Sequence, residues 1–184
     1  SDAAEEAWRE LSDRFAHRIP GHSAKSLRIA IADSRSWFRN DPTRLPDGAD
    51  EGHGITARAF ATLAVDDKEL VQEFSDFYGT VKVDITKPIP GAIQTLRTLE
   101  GMGIGLALIT SGHGPTQRRK VEYHKLDTIF DSILIDGELG YGKPEERVYR
   151  EALDLLGVQP SETWMVGDGL EWDLATAQQL GMVG

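Results

Sequence analysis

The sequence contains no cysteine. That removes disulfides, thiolate metal sites and cysteine nucleophiles together, and it agrees with a reducing compartment. No apolar stretch approaches the roughly 20 residues that a membrane-spanning helix needs. The opening residues, SDAAEEAWRELSDRF, lack the basic start and apolar block of an export signal. Basic residues are outnumbered: 20 Lys and Arg stand against 30 Asp and Glu, a formal net charge of −10. A nucleic-acid backbone is therefore a poor partner, whereas a small anionic substrate can still be neutralised by a cation or a few placed Lys and Arg. Internal repeats and low-complexity tracts are absent as well. What is present is a 184-residue chain, 40% hydrophobic and 27% charged, enough for one substantial core with a small second unit. It is expected to be soluble and cytoplasmic, with neither nucleic acid nor membrane as partner.

Two regions differ in their periodicity. Residues 1–85 read as helical throughout. Ala4, Trp8, Leu11 and Phe15 recur at three- and four-residue intervals. SAKSLRIAIADSRSWF alternates like a strand at its centre, but Leu27, Ile31 and Ser34 fit a helix that Ser23 could cap, and Trp37 and Phe38 continue the apolar set. A helix is favoured there. NDPTRLPDGADEGHG is a turn-rich loop, and further helices are expected over about 54–64 and 67–79. Residues 86–184 alternate instead: a helix over 89–101, a strand over 104–110, a helix in PTQRRKVEYHKL, and a short strand in DSILID. A glycine-rich loop GELGYGKP, a helix in EERVYREALDLLG, a strand in TWMVGD and a helix in EWDLATAQQLG complete the order. Strands alternating with helices predict an α/β fold with a doubly wound, parallel, Rossmann-like sheet.

In such a sheet the ligand site lies beyond the carboxyl ends of the strands. Three loops meet there, Thr110–Gly114, Gly137–Pro144 and Gly167–Asp173. Hydroxyls of Thr110 and Ser111, with the Gly112 backbone amide, suit a phosphate, and Lys143 adds a point charge for the same anion. Asp168 and Asp173 stand five residues apart after the apolar run WMVG, with Glu171 between them. Burying like charges together is costly without compensation. They could form a solvated loop with a first-turn carboxylate favoured by the helix dipole, or they could be hard oxygen ligands for Mg²⁺ bridging to a substrate phosphate. Glu171 and Trp172 are read as structural, His113 as an exposed loop residue, and Arg28, Arg35 and Arg39 as a solvated helix face. Trp8, Phe15, Phe74 and Phe77 are read as core.

ALITSG (107–112), GKP (142–144) and VGDGLEWD (166–173), in this order and on these elements, resemble the haloacid dehalogenase (HAD) superfamily of phosphatases. The resemblance implies a HAD α/β core over 86–184 and an α-helical cap over 1–85. Carried over, Thr110 would hydrogen-bond the transferring phosphoryl group, helped by the Ser111 and Gly112 backbone. Lys143 would stabilise charge on the phosphoryl oxygens. Asp168 would bind Mg²⁺, and Asp173 would support the metal's water shell or orient Lys143. The implied function is Mg²⁺-dependent hydrolysis of a small phosphorylated metabolite through an aspartyl-phosphate. The alternatives are a 2-haloacid dehalogenase, which needs no magnesium and looks different around the last acidic motif, and a non-catalytic HAD-like binding or regulatory module.

The family's first strand, ending in Asp-x-Asp-x-Thr with the nucleophilic aspartate, does not occur in these residues. The nearest imitation, IAIADSRSW, offers Asp33 without a second acid and lies in the cap-like region. The core is therefore expected to lack its central strand. The nucleophile is expected outside this chain, the natural protein to extend upstream, and these residues alone to be inactive.

Overall fold

The computed structural model describes residues 2–40 and 51–184 and divides into two compact units, Ser1–Lys87 and Pro88–Gly184.

Among the described residues, the first unit contains α1 (Asp2–Phe15), α2 (Ala24–Arg39), α3 (Glu51–Thr62) and α4 (Lys68–Ile85). The ambiguous segment is helical, and its burial follows helical spacing: Leu27, Ile31, Ser34 and Phe38 face inward. A strand would have placed Ile29 on the same side as Leu27 and Ile31, yet Ile29 is exposed. Ser23 starts this helix by accepting from the Ser26 amide at 3.2 Å, while the Ser26 hydroxyl accepts from the Ser23 amide at 2.8 Å. Ser23→Ala is expected to cost about 1 kcal/mol, read as a lower urea midpoint with unchanged slope. Trp8, Leu11 and Phe15 of α1 join Ile31, Phe60, Phe74 and Tyr78 in one apolar core. Phe74 takes Phe15 and Phe60 edge-on, and Trp8 stacks on Tyr78. Phe77 is partly buried against this core. The turn-rich loop expected over 40–54 falls mostly outside the described residues, and its last four residues begin α3. Arg28 pairs with Asp13 at 2.6 Å and Arg35 with Glu5 at 2.5 Å, so these two cations serve α1–α2 contacts. Asp33 lies on the exposed side of α2, no position for a strand-end nucleophile. No described helix is long and apolar enough to cross a membrane.

The second unit contains α5 (Ala92–Gly101), β1 (Ala107–Thr110), α6 (Gly114–Tyr123), β2 (Ser132–Ile135), α7 (Asp136–Leu139), α8 (Glu146–Leu156) and α9 (Thr176–Gln179). Strands β1 and β2 are parallel, in a register that runs from Ala107 opposite Ser132 to Thr110 opposite Ile135. Strand β1 is shorter than expected at its start because Asp131 intervenes. Its carboxylate accepts from the Leu106 amide and its own amide donates to the Leu106 carbonyl, both at 2.8 Å. Val148, Tyr149, Ala152 and Leu153 of α8 pack with Leu134, Ala177 and Met182.

The expected strand in TWMVGD is reduced to a single parallel bridge between Trp164 and Val183. Met165 donates to the Val183 carbonyl at 2.7 Å and Val183 to the Thr163 carbonyl at 2.9 Å. Trp164 and Val166 are 76% and 86% exposed. A strand is defined by its neighbours, and among the described residues this segment pairs on one edge only. The parallel order is thus present in two strands and a bridge.

Candidate functional site

Because Thr110 pairs with Ile135, the chains leaving β1 and β2 emerge side by side. Thr110 is half-buried at that edge, Ser111 is exposed, and neither hydroxyl has a hydrogen-bond partner among the described residues. Gly112 turns the chain with φ +128°, a conformation that favours glycine. Both polar groups of the Ser111–Gly112 peptide are engaged. The Gly112 amide donates to Asp136 Oδ1 at 2.6 Å, and the Ser111 carbonyl accepts from Gln117 Nε2 at 2.9 Å. The adjacent loop comes into backbone contact, since a Cβ on Gly137 would lie 2.5 Å from the Gly112 oxygen. His113, placed by sequence in an exposed loop, is half-buried at the start of α6, its Nδ1 3.1 Å from Thr116 Oγ1.

Asp136 leads to the next segment. Gly142 packs so closely on it that a Cβ there would meet the Asp136 Cβ at 2.4 Å. The following residue is Lys143, joined to Pro144 by a cis peptide. Lys143 Nζ donates to Asp173 Oδ1, and the two side chains are only 16% and 7% exposed. Asp173 Oδ2 accepts from the Gly169 amide at 2.8 Å. Hydrogen bonding from Lys143 holds the Asp173 carboxyl below the usual carboxylate range, with help from the Gly169 amide and against the opposing effect of burial. Gly167 and Gly169 allow this approach: a Cβ on either would fall within 3 Å of the Asp173 side chain.

Two further bonds hold the segment after Gly169, which is wound with π-helical geometry over Leu170–Ala175 before α9 begins. Tyr149 OH donates to the Trp172 carbonyl at 2.6 Å, and Thr176 Oγ1 donates to the Pro144 carbonyl at 2.9 Å. Burial, then the charge of Asp173, pushes the Tyr149 hydroxyl up from its ordinary pKa, which keeps it a neutral donor.

A continuous series of contacts thus links Thr110–Gly112 through Asp136 and Gly142 to Lys143, and through Asp173 to Gly167–Gly169. Of the two acids that the sequence singles out, Asp173 forms an ion pair with Lys143. Both of its oxygens are engaged, Oδ1 by Lys143 and Oδ2 by the Gly169 amide. Asp168 is exposed and has no partner among the described residues, and no group of three or more Asp, Glu, His or Cys side chains placed to hold a metal ion occurs among them. The carboxylate of Asp168 is open to a hard cation, which fits the chemistry of a Mg²⁺ ligand. Glu171 is exposed, and Trp172 contributes its carbonyl while its side chain is exposed.

Sequence reasoning missed Asp136, Gln117 and Tyr149. Asp136 carried a usable signal: like Asp168, it follows an apolar run directly, in DSILID, where an acid without a partner is costly. Gln117 and Tyr149 lie inside helical patterns that gave no such sign.

Relatives share this arrangement of elements. A glyceraldehyde 3-phosphate phosphatase of Methanocaldococcus jannaschii is 31% identical over 136 residues, 74% of this chain and 60% of that protein. A phosphoserine phosphatase of Thermus thermophilus is 40% identical over 93 residues, 50% of this chain and 37% of that protein. The chain thus spans well under two thirds of the length of these curated relatives. The crystal structure of a HAD phosphatase from Thermococcus onnurineus superposes with a TM-score of 0.60 at 24% identity, covering 97% of this chain and 77% of that one, so the two share an α/β Rossmann-like fold. A model of the haloacid dehalogenase-like hydrolases matches residues 1–181, and the chain belongs to that family.

Proposed function

We propose that the protein hydrolyses phosphate monoesters of a small metabolite in the cytoplasm, with Mg²⁺ as cofactor. The observation that carries this reading is the buried Lys143–Asp173 pair, linked through Gly142 and Asp136 to the Thr110–Gly112 turn. An ammonium held in place by one carboxylate offers its remaining donors to an anion, next to free hydroxyls, and that set is suited to a phosphoryl group. The relatives named as phosphatases of glyceraldehyde 3-phosphate and phosphoserine support the same substrate class.

In this reading the Thr110 hydroxyl donates to a phosphoryl oxygen, and Lys143 stabilises negative charge as it builds on those oxygens in the transition state. Asp173 keeps Lys143 charged and aimed. Asp168 would hold Mg²⁺ through a carboxylate oxygen. The metal, when bound, supplies charge compensation at the phosphoryl oxygens. Attack by a carboxylate on phosphorus would break the ester P–O bond, release the alcohol and give an aspartyl-phosphate, which water would hydrolyse to inorganic phosphate and the regenerated carboxylate. Asp33 lies mid-helix in the first unit and is not assigned as the attacking aspartate. That helical unit takes the part of a substrate-selecting cap.

The test is phosphate release from a panel of sugar phosphates, phosphoserine and triose phosphates by the intact natural protein. Turnover that is abolished by a chelator and restored by Mg²⁺ is the expected result. Chloride release from 2-haloacids without added magnesium would replace this reading with the dehalogenase, and metabolite binding with no turnover would replace it with a binding module.

A further inference from the structure

We infer that Asp136 is a positioning residue that sets the phosphate-facing turn after β1 and couples it to the Lys143 loop; this inference rests on the phosphomonoesterase reading above. Glycine at 112 permits φ +128° but does not enforce it, because a glycine backbone is free to leave that conformation. The enforcement comes from two side chains acting on one peptide plane. Gln117 Nε2 holds the Ser111 carbonyl at 2.9 Å, and Asp136 Oδ1 holds the Gly112 amide at 2.6 Å. With its oxygen and its N–H held by two different side chains, the Ser111–Gly112 peptide plane is fixed directly after Thr110.

Asp136 is itself well placed to act as a fixed point. It directly follows Ile135, which pairs with Thr110 across the sheet, and Gly142 packs against its Cβ one residue before Lys143. A shift of Asp136 would therefore move the hydroxyl-bearing turn and the lysine loop together. A carboxylate so near an anion site also carries a repulsive cost, and its charge is directed at the Gly112 amide, a charge-assisted bond of the strong kind. The bond asks for an acceptor oxygen at this position, which asparagine also provides and alanine does not.

The experiment compares Asp136→Ala and Asp136→Asn with the unmutated intact protein. It measures kcat and KM on a phosphate ester, inhibition by inorganic phosphate, and thermal melting. The expected result is that Asp136→Ala lowers kcat/KM by about 10²-fold and weakens inhibition by inorganic phosphate about tenfold, at a melting temperature that leaves the protein folded. Asp136→Asn is expected to recover most of both. If the unmutated protein is inhibited by inorganic phosphate and Asp136→Ala is inhibited equally, the positioning role is overturned while the phosphatase reading stands. If the unmutated protein neither hydrolyses phosphate esters nor responds to inorganic phosphate, the phosphatase reading falls and this inference with it. Should Asp136→Ala fail to fold, the unmutated protein decides. Its Gly112 amide is expected to exchange slowly with solvent and to resonate downfield, and exchange at the rate of a free peptide would overturn the inference.

Discussion

Lys143→Ala is expected to lower kcat for phosphate ester hydrolysis by about 10³-fold and to destabilise the fold by about 3 kcal/mol. The kinetic effect follows from removing a preorganised cation from the transition state. The stability effect follows from leaving Asp173 buried without its main partner. The two have different pH signatures. In the unmutated protein the Asp173 carboxyl is held below its ordinary range, first by Lys143 and then by the Gly169 amide. A depressed folded-state pKa contributes stability that is fully present above the unfolded value of about 3.9 and is lost as pH falls through the lower folded value. Without Lys143, burial is left to push Asp173 upward, and protonation relieves the unpaired charge. The stability deficit of Lys143→Ala is therefore full at neutral pH and shrinks on acidification. Melting temperatures of both proteins from pH 3 to pH 7 check this, and curves that stay parallel over the whole range would show that the pair contributes nothing.

The reading of the helical half succeeded where burial is local. In α2 the inward positions Leu27, Ile31, Ser34 and Phe38 follow one helix face, and the cap at Ser23 supplied the start; everything needed lay within 16 residues. The reading of TWMVGD as a full strand failed for the opposite reason. Its apolar content is that of a strand covered on both sides, but strand formation depends on neighbours distant in sequence, and here pairing reaches only Val183. The start of β1 shows the same limit on a smaller scale, since the acid that ends its regular pairing, Asp131, lies 25 residues downstream of Leu106.

For the site, the sequence identified the loops but not the pairing within them. Thr110, Lys143, Asp168 and Asp173 were singled out as one constellation. The two acids were expected to share a cation, with Asp173 supporting the metal's water shell or orienting Lys143. In the structure Asp173 turns to Lys143 and Gly169, and Asp168 stays exposed. Spacing of five residues through a segment with π-helical winding carries no reliable face relationship, unlike the i, i+4 of a regular helix. Asp136 went unnoticed because it precedes a glycine-rich loop and reads as an ordinary turn former. Its partner, the Gly112 amide, lies 24 residues away.

Asp168→Ala is expected to abolish turnover, a loss of about 10³-fold or more, while changing stability by no more than about 0.5 kcal/mol. The separation is the point of the experiment. Asp168 is exposed and makes no hydrogen bond or ion pair among the described residues, so its removal breaks nothing that holds the fold. Asp173→Asn differs, because that carboxylate is buried and bonded on both oxygens, and it is expected to lose activity and stability together. Glu171→Ala supplies the control, an exposed acid three residues on, for which neither quantity should move. If Asp168 supplies an oxygen to Mg²⁺, the conservative Asp168→Asn, which keeps one oxygen and loses the charge, should require a higher Mg²⁺ concentration for half-maximal activity at unchanged melting temperature. Equal turnover in Asp168→Ala and the unmutated protein would remove the metal from the mechanism, and it would leave charge stabilisation to Lys143.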